Sequence, residues 1–270
     1  MENIFIYRDD GTDEFSFNEL KICLEILYPT LKIQQVDSKS VKNGILFGSY
    51  GQLNAKLFCI GGGRDMGYLK MLGEQGCEEI KKYVHSGGIY LGICAGAYFA
   101  ADYIEFDLNG PIEVKGERML KFFKGKATGP INKAFKYNTE SEAMAIEIKL
   151  TNEESGTEKR SNSHYYYLNG GCNFKPYDEN DKNLIIIARY TKDCLNSENE
   201  AAIVECNYGL GKCLLSGLHI EYNPNHLNKT NQNIHDNVLP KLTATTTTEG
   251  LYFLVKSLLN KLVVLNESNE

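Results

Sequence analysis

No long run of lysine or arginine occurs in the 270 residues, and the formal net charge is -6. A protein that holds nucleic acid by phosphate attraction needs the opposite balance, so that class is set aside. No apolar stretch approaches the length of a membrane span. The opening "MENIFIYRDD" has no basic head, long apolar segment or small-residue cleavage site. The chain therefore reads as soluble and cytoplasmic. Cys-x-x-Cys pairs are also missing, as are Cys and His clustered at ligand spacing, so no zinc or other metal site is expected. No cofactor motif is present: the glycine-rich segment is not Gly-x-Gly-x-x-Gly opening a helix, and no Walker lysine follows it. Internal repeats are absent.

What is present is ordinary in bulk and specific in detail. Apolar residues make up 42 % and charged residues 24 %, as in a globular protein with a core. The eight cysteines, Cys23, Cys59, Cys77, Cys94, Cys172, Cys194, Cys206 and Cys213, fall largely inside apolar strand-like runs. Buried free thiols fit that placement better than disulfides.

The first half alternates between strand and helix signals. "NIFIY" reads as a strand, "FSFNELKICLEIL" as an amphipathic helix, "LKIQQV" and "AKLFCI" as strands, "GEQGCEEIKKYVHSGG" as a polar helix and "IYLGIC" as a strand buried on both faces. This order predicts an open, mostly parallel α/β sheet with helices on both faces. The middle segments "GPIEVKGERMLKFFKG", "MAIEIKLTN", "HYYYLNGG" and "NLIIIARY" predict an antiparallel β excursion. "AAIVECNYGLGKCLLSGLHIEYN" reads as two strands around a glycine turn. Residues 225–250 read as a loop or short irregular helices. "TEGLYFLVKSLLNKLVVL" reads as a closing amphipathic helix. One domain over 1–265 with a tail at 266–270 is expected.

Chemistry concentrates around "GICAGAY". A strand running into Cys94, with Gly92 and Gly96 two residues to either side and a helix after it, has the form of a nucleophile elbow. Small neighbours permit the tight turn, and the helix start brings partial positive charge to the sulfur. A buried cysteine at a plain strand-to-helix junction would share part of this pattern. "LSGLHIEYN" supplies a base: His219 can accept the thiol proton, and Glu221, two residues on, can orient the imidazole. His85, His164, His226 and His235 lack such context and are assigned to the surface. In "FCIGGGRDMGY", the N–H of Gly63, together with that of Ala95, can hold an oxyanion. Asp65 is placed to orient a substrate amine or to cap the next turn.

These pieces, in this order, resemble the class I glutamine amidotransferase-like (flavodoxin-like) fold with its Cys-His-Glu triad. At family level, "YRDDGT", "GGGRDMGY", "GICAGAYFAADYIEF", "VKGERMLKFFKGKATGP", "YYYLNGGCNF" and "AAIVECNYGLGKCLLSGLHIEYN" resemble the N-terminal domain of eukaryotic biotin–protein ligase (holocarboxylase synthetase). The resemblance implies triad positions for Cys94, His219 and Glu221. It implies oxyanion-side positions for Gly62, Gly63 and Ala95, and pocket positions for Asp65, Tyr98, Asn169, Gly170 and Gly171. Ile220 and Gly61 stand where the pattern usually has proline, and Tyr98 where glutamine-hydrolysing members carry Gln. No Gly-Arg-Gly-Arg-type adenylate loop or biotin-binding core is found, so biotin ligation by this chain alone is not expected. Three functions follow as expectations. One is thiolate attack on a small amide or ester; another is a non-catalytic metabolite-binding or regulatory module associated with a separate biotin–protein ligase catalytic chain. The third is a cysteine peptidase of the same fold. A small-molecule substrate or ligand is common to the first two.

Overall fold

A computed structural model describes residues 3–151, 165–191, 199–230, 238–244, 255–256 and 259–260. In chain order the elements are β1 (Asn3–Tyr7), α1 (Glu14–Leu27), β2 (Lys32–Val36), α2 (Ser38–Lys42), β3 (Leu57–Ile60), α3 (Asp65–His85), β4 (Ile89–Ile93), α4 (Ala95–Phe99), β5 (Ala101–Phe106), β6 (Val114–Glu117), β7 (Phe123–Gly129), β8 (Met144–Leu150), β9 (Tyr165–Leu168), β10 (Asn173–Pro176), β11 (Leu184–Tyr190), β12 (Ala201–Tyr208), β13 (Gly211–Ser216), α5 (Pro224–Thr230) and α6 (Val238–Ala244).

The sheet runs β2-β1-β3-β4-β13-β12-β10-β7-β5-β6, with β11, β8 and β9 branching from β12. The half from β2 to β13 is parallel. Beyond β13 the pairing is antiparallel apart from β5 with β7. This is the open α/β sheet with an antiparallel extension that the alternation implied.

Period-2 alternation sends side chains to two cores. Ile4 and Ile6, Leu57 and Cys59, and Ile89 and Leu91 join Leu20, Cys23 and Leu24 of α1 on one face. Phe5 and Tyr7, Phe58 and Ile60, and Tyr90 join Leu72, Ile80 and Val84 of α3 on the other. Both faces are thus covered by helix. The N-terminus of α1 is capped by Asp13, whose carboxylate accepts the Ser16 N–H at 2.8 Å.

The chain departs from its local signals in several places. The helix read from Gly73 begins eight residues earlier, at Asp65, and bends at Gly73 (φ 56°). The helix after the Cys94 turn is only five residues long, and β5 follows almost at once. The stretch 110–125 holds β6 and the start of β7. Residues 225–250 contain α5 and α6. Among the described cysteines, Cys23, Cys59, Cys77, Cys94, Cys172, Cys206 and Cys213 are free and buried. Cys194, His164, His235, the tail 266–270 and most of the closing amphipathic segment lie outside the described residues. Within the described residues no helix is long and apolar enough to cross a membrane.

Candidate active site

Cys94 follows the last residue of β4 and takes φ 51°, ψ -107°, a left-handed-side conformation that costs a non-glycine residue energy. The neighbouring glycines make the turn possible. A Cβ on Gly96 would stand 2.0 Å from the Ile60 carbonyl oxygen, and one on Gly92 2.7 Å from the Gly96 oxygen. The Cys94 N–H donates to Ser216 O of β13 at 2.9 Å. That bond ties the turn to the adjacent parallel strand, where Ser216 pairs with Ile93.

His219 comes three residues after β13, so the register of β13 on β4 delivers it to Cys94. Its N–H donates to Tyr167 O at 2.9 Å. Its Nδ1 meets Glu221 Oε1 at 2.8 Å. The Cys94 side chain lies close enough to the imidazole to favour its protonated form. Cys94 is 8 % and His219 6 % exposed, and Glu221 is fully buried. Burial pulls the imidazole down, but the Glu221 carboxylate and the nearby Cys94 side chain outweigh it and hold His219 well above the usual histidine range.

The imidazole also has a cradle. The Tyr222 ring lies 4.1 Å from it, centre to centre, and Tyr222 stacks in turn on Tyr167. Ser16 lies beside Tyr222, and its Oγ accepts the Gly62 N–H at 2.8 Å. Gly62 must lack a side chain here, because a Cβ would stand 2.7 Å from His219 Cε1.

Gly62, then, turns its N–H to Ser16 and contributes room for the imidazole, not an oxyanion donor. The bridge between Thr12 and Gly63 uses the Gly62 and Gly11 carbonyls, accepting from Asp13 and Arg64. It leaves the Gly63 N–H outside the pairing. Ala95 opens α4, where a helical N–H has no acceptor within the helix. Gly63 and Ala95 remain as the two candidate donors beside Cys94.

A small pocket of about 50 Å³ opens onto Cys94. Gly63, Asp65, Ala95, Tyr98, Asn169, Gly170 and Gly171, all named from sequence, line it together with Cys94. Their roles are now specific. The Tyr98 hydroxyl donates to Gly171 O and fixes the 169–171 turn. Gly170 and Gly171 take φ 82° and 59°. Asn169 Nδ2 donates to Thr139 O and to Glu140 Oε2, each at 3.0 Å. Asp65 accepts from Arg118 Nε at 2.6 Å, and Arg118 is 2 % exposed, so this carboxylate is already paired. Burial nevertheless pushes the Asp65 carboxyl up, against the pull of Arg118. Burial likewise raises Glu140, against His219 and Asn169.

Sequence reading did not reach Ser16, Tyr222, Arg118, Glu140 or the aromatic wall of Phe106, Phe135 and Tyr137. Tyr222 directly follows Glu221 and was visible in principle; the others meet the site only through tertiary contacts. His226, read as a surface residue, is half-buried, and its Nδ1 meets the buried Glu19 carboxylate at 2.8 Å. It ties α5 to α1. His85 is exposed as expected. Among the described residues, no three or more His, Cys, Asp or Glu side chains gather as metal ligands.

The family description "Biotin-protein ligase, N terminal" matches residues 2–270. The chain belongs to that family. It is 30% identical over 222 residues to the biotin–protein ligase of Schizosaccharomyces pombe, a match covering 82% of this chain and 33% of that protein. The chain thus spans about a third of the length of that ligase. It is also 30% identical over 238 residues to an uncharacterized protein of Chlamydia muridarum, covering 87% and 86% of the two chains. Among solved structures, PurLQS from Thermotoga maritima superposes with a TM-score of 0.52 at 17% identity, over 82% of this chain and 89% of that one. That likeness concerns the fold, and it agrees with the open α/β architecture.

Proposed function

We propose that this biotin–protein ligase N-terminal family member is a cysteine-dependent acyl-transfer hydrolase acting on a small amide or ester. One observation supports the reading: the strained Cys94 turn stands beside a buried, hydrogen-bonded His219–Glu221 pair at the mouth of a pocket. His219 Nε2 takes the Cys94 proton as Sγ attacks the carbonyl carbon. The Gly63 and Ala95 N–H groups face the developing oxyanion. The C–N or C–O bond then breaks, His219 returns its proton to the leaving group, and a thioester remains on Cys94. Water, deprotonated by His219, hydrolyses the thioester to the carboxylic acid and the free thiol. Glu221 keeps Nδ1 protonated and balances the imidazolium.

The reaction is tested with p-nitrophenyl acetate. An acetyl thioester on Cys94, found by peptide mass spectrometry, and loss of nitrophenol release in Cys94→Ala are expected. Release that persists unchanged in Cys94→Ala, with no thioester, contradicts the reading.

A second reading is a regulatory module that binds a small ligand and docks on a biotin–protein ligase catalytic chain. It is favoured by the match to one third of the Schizosaccharomyces pombe ligase. Ligand-induced stabilisation without turnover, together with co-elution with such a catalytic chain, would support it over hydrolysis.

A further inference from the structure

The Cys94 pocket is small for a substrate. Its space of about 50 Å³ holds a few waters, whereas sites that enclose a small ligand offer about 300 Å³ or more. Cys94 itself is 8 % exposed. An acyl group and its leaving group need more room, so part of the wall has to move.

One segment supplies the movable part. Residues 130–143, between β7 and β8, contain no helix or strand, and connections of that length are commonly functional. Phe135 and Tyr137 of this segment line the pocket together with Cys94. Their rings lie 5.6 and 5.9 Å from that of Phe106, centre to centre.

The segment is fixed at its ends and lightly held between them. Ile131 and Ala143 are buried, and the Ile131 N–H donates to Gly170 O at 2.9 Å. Asn132 Nδ2 donates to Glu142 O at 2.9 Å, which ties the two ends into a neck. Among the described residues, the backbone of 132–142 pairs with no backbone group outside 132–143. Its polar ties to the rest of the described chain run through side chains. Arg64 Nη2 donates to Asn138 Oδ1 at 2.9 Å, and the guanidinium carbon lies 5.3 Å over the Tyr137 ring. Asn169 Nδ2 donates to Thr139 O and Glu140 Oε2. Arg64 is exposed, so water can replace its bond at little net cost. These ties can break while the neck holds and the sheet stays intact, the condition for movement as one body.

We infer that residues 132–142 are a lid that swings about Ile131 and Ala143 to admit substrate to Cys94, with Arg64 as its latch. The inference rests on Cys94 being the reacting centre of the proposed hydrolase.

The full chain is labelled with N-methylmaleimide and N-(1-pyrenyl)maleimide, which share a reactive group and differ in bulk. Cys94 adducts are followed by peptide mass spectrometry, and each rate is divided by that of glutathione with the same reagent. Wild type is expected to take the pyrenyl reagent about tenfold or more slowly than the methyl one. Arg64→Ala is expected to raise the pyrenyl rate about fivefold or more and to change the methyl rate by less than about twofold. A second readout does not use the thiol. The chain has no tryptophan, so Phe135→Trp places a single fluorescent reporter in the lid, on a ring other than the one Arg64 covers. Its quenching by acrylamide should rise about 1.5-fold or more when Arg64→Ala is added. Should Phe135→Trp fail to fold, the maleimide pair decides alone. Equal normalised rates of the two maleimides in wild type, or a pyrenyl rate or quenching unchanged by Arg64→Ala, overturns the lid. If neither maleimide labels Cys94 but quenching responds as expected, the hydrolase reading fails and the lid stands.

Discussion

Gly62→Ala probes the imidazole cradle with a single methyl group. The added Cβ would stand 2.7 Å from His219 Cε1 and 2.8 Å from Ser16 Oγ. Ordinary contact begins at 3.4 Å, so the shortfall at the imidazole is about 0.7 Å. Ser16 cannot retreat without losing the Gly62 N–H, and Tyr222 backs the imidazole at 4.1 Å. The ring must therefore move relative to Cys94. Misplacement on this scale costs roughly 10- to 100-fold in a reaction that depends on alignment. Overpacking at a buried site costs about 1–3 kcal/mol, which corresponds to a Tm loss of roughly 2–12 °C for a chain of this size. The assay pairs the rate of Cys94 alkylation by iodoacetamide at pH 7 with a thermal melt. An alkylation rate within about twofold of wild type, in a protein of unchanged Tm, would refute the placement of His219 against Gly62.

Three further variants test separate parts of the site. Glu221→Gln leaves burial as the dominant influence on His219, so NMR titration should find the imidazole fallen from well above 6.5 toward or below that value. The raised folded value means the Glu221 stabilisation is complete below pH 6.5 and is lost as pH rises through that folded value. The Tm gap between wild type and Glu221→Gln should narrow in that direction, and a gap that widens contradicts the pairing. Glu140 is raised by burial, so its ionisation opposes folding from about pH 4.5 upward; Glu140→Gln, which keeps an acceptor for Asn169, should raise Tm at pH 7 and leave it unchanged at pH 4. Arg118→Ala strands Asp65 and should cost roughly 3–5 kcal/mol in urea unfolding, whereas a loss below about 1 kcal/mol would show that the pair carries little.

The parts of the fold that sequence exposed are those in which one local pattern suffices. β1, β3 and β4 are apolar runs with both faces buried, and α1 shows apolar residues at helical spacing behind an Asp cap. The Cys94 turn was legible because steric crowding at an elbow restricts its flanks to small residues, and Gly92 and Gly96 meet that demand. Elsewhere tertiary pairing overrode local signals. The apolar sequence after Cys94 supports helix as readily as strand, and the pairing of β5 with β7 ends α4 at Phe99. β10 is four residues ending in proline, with little pattern of its own, and it exists through pairing with β7 and β12. The site divides the same way. Glu221 was found from its spacing to His219, whereas Arg118 meets Asp65 across 53 residues and Ser16 meets Gly62 across 46, beyond any local rule. The oxyanion expectation for Gly62 followed from the family resemblance, and only the Ser16 contact reveals where its N–H goes.

The central claim is that His219 makes Cys94 a nucleophile. Its most direct test is the second-order rate of Cys94 alkylation by iodoacetamide at pH 7, site-resolved by mass spectrometry, in wild type and in His219→Ala. The account predicts wild-type labelling faster than an exposed model thiol despite burial of the sulfur, and a loss of roughly 10²-fold or more in His219→Ala. Equal rates in the two proteins, no faster than the model thiol, would contradict it.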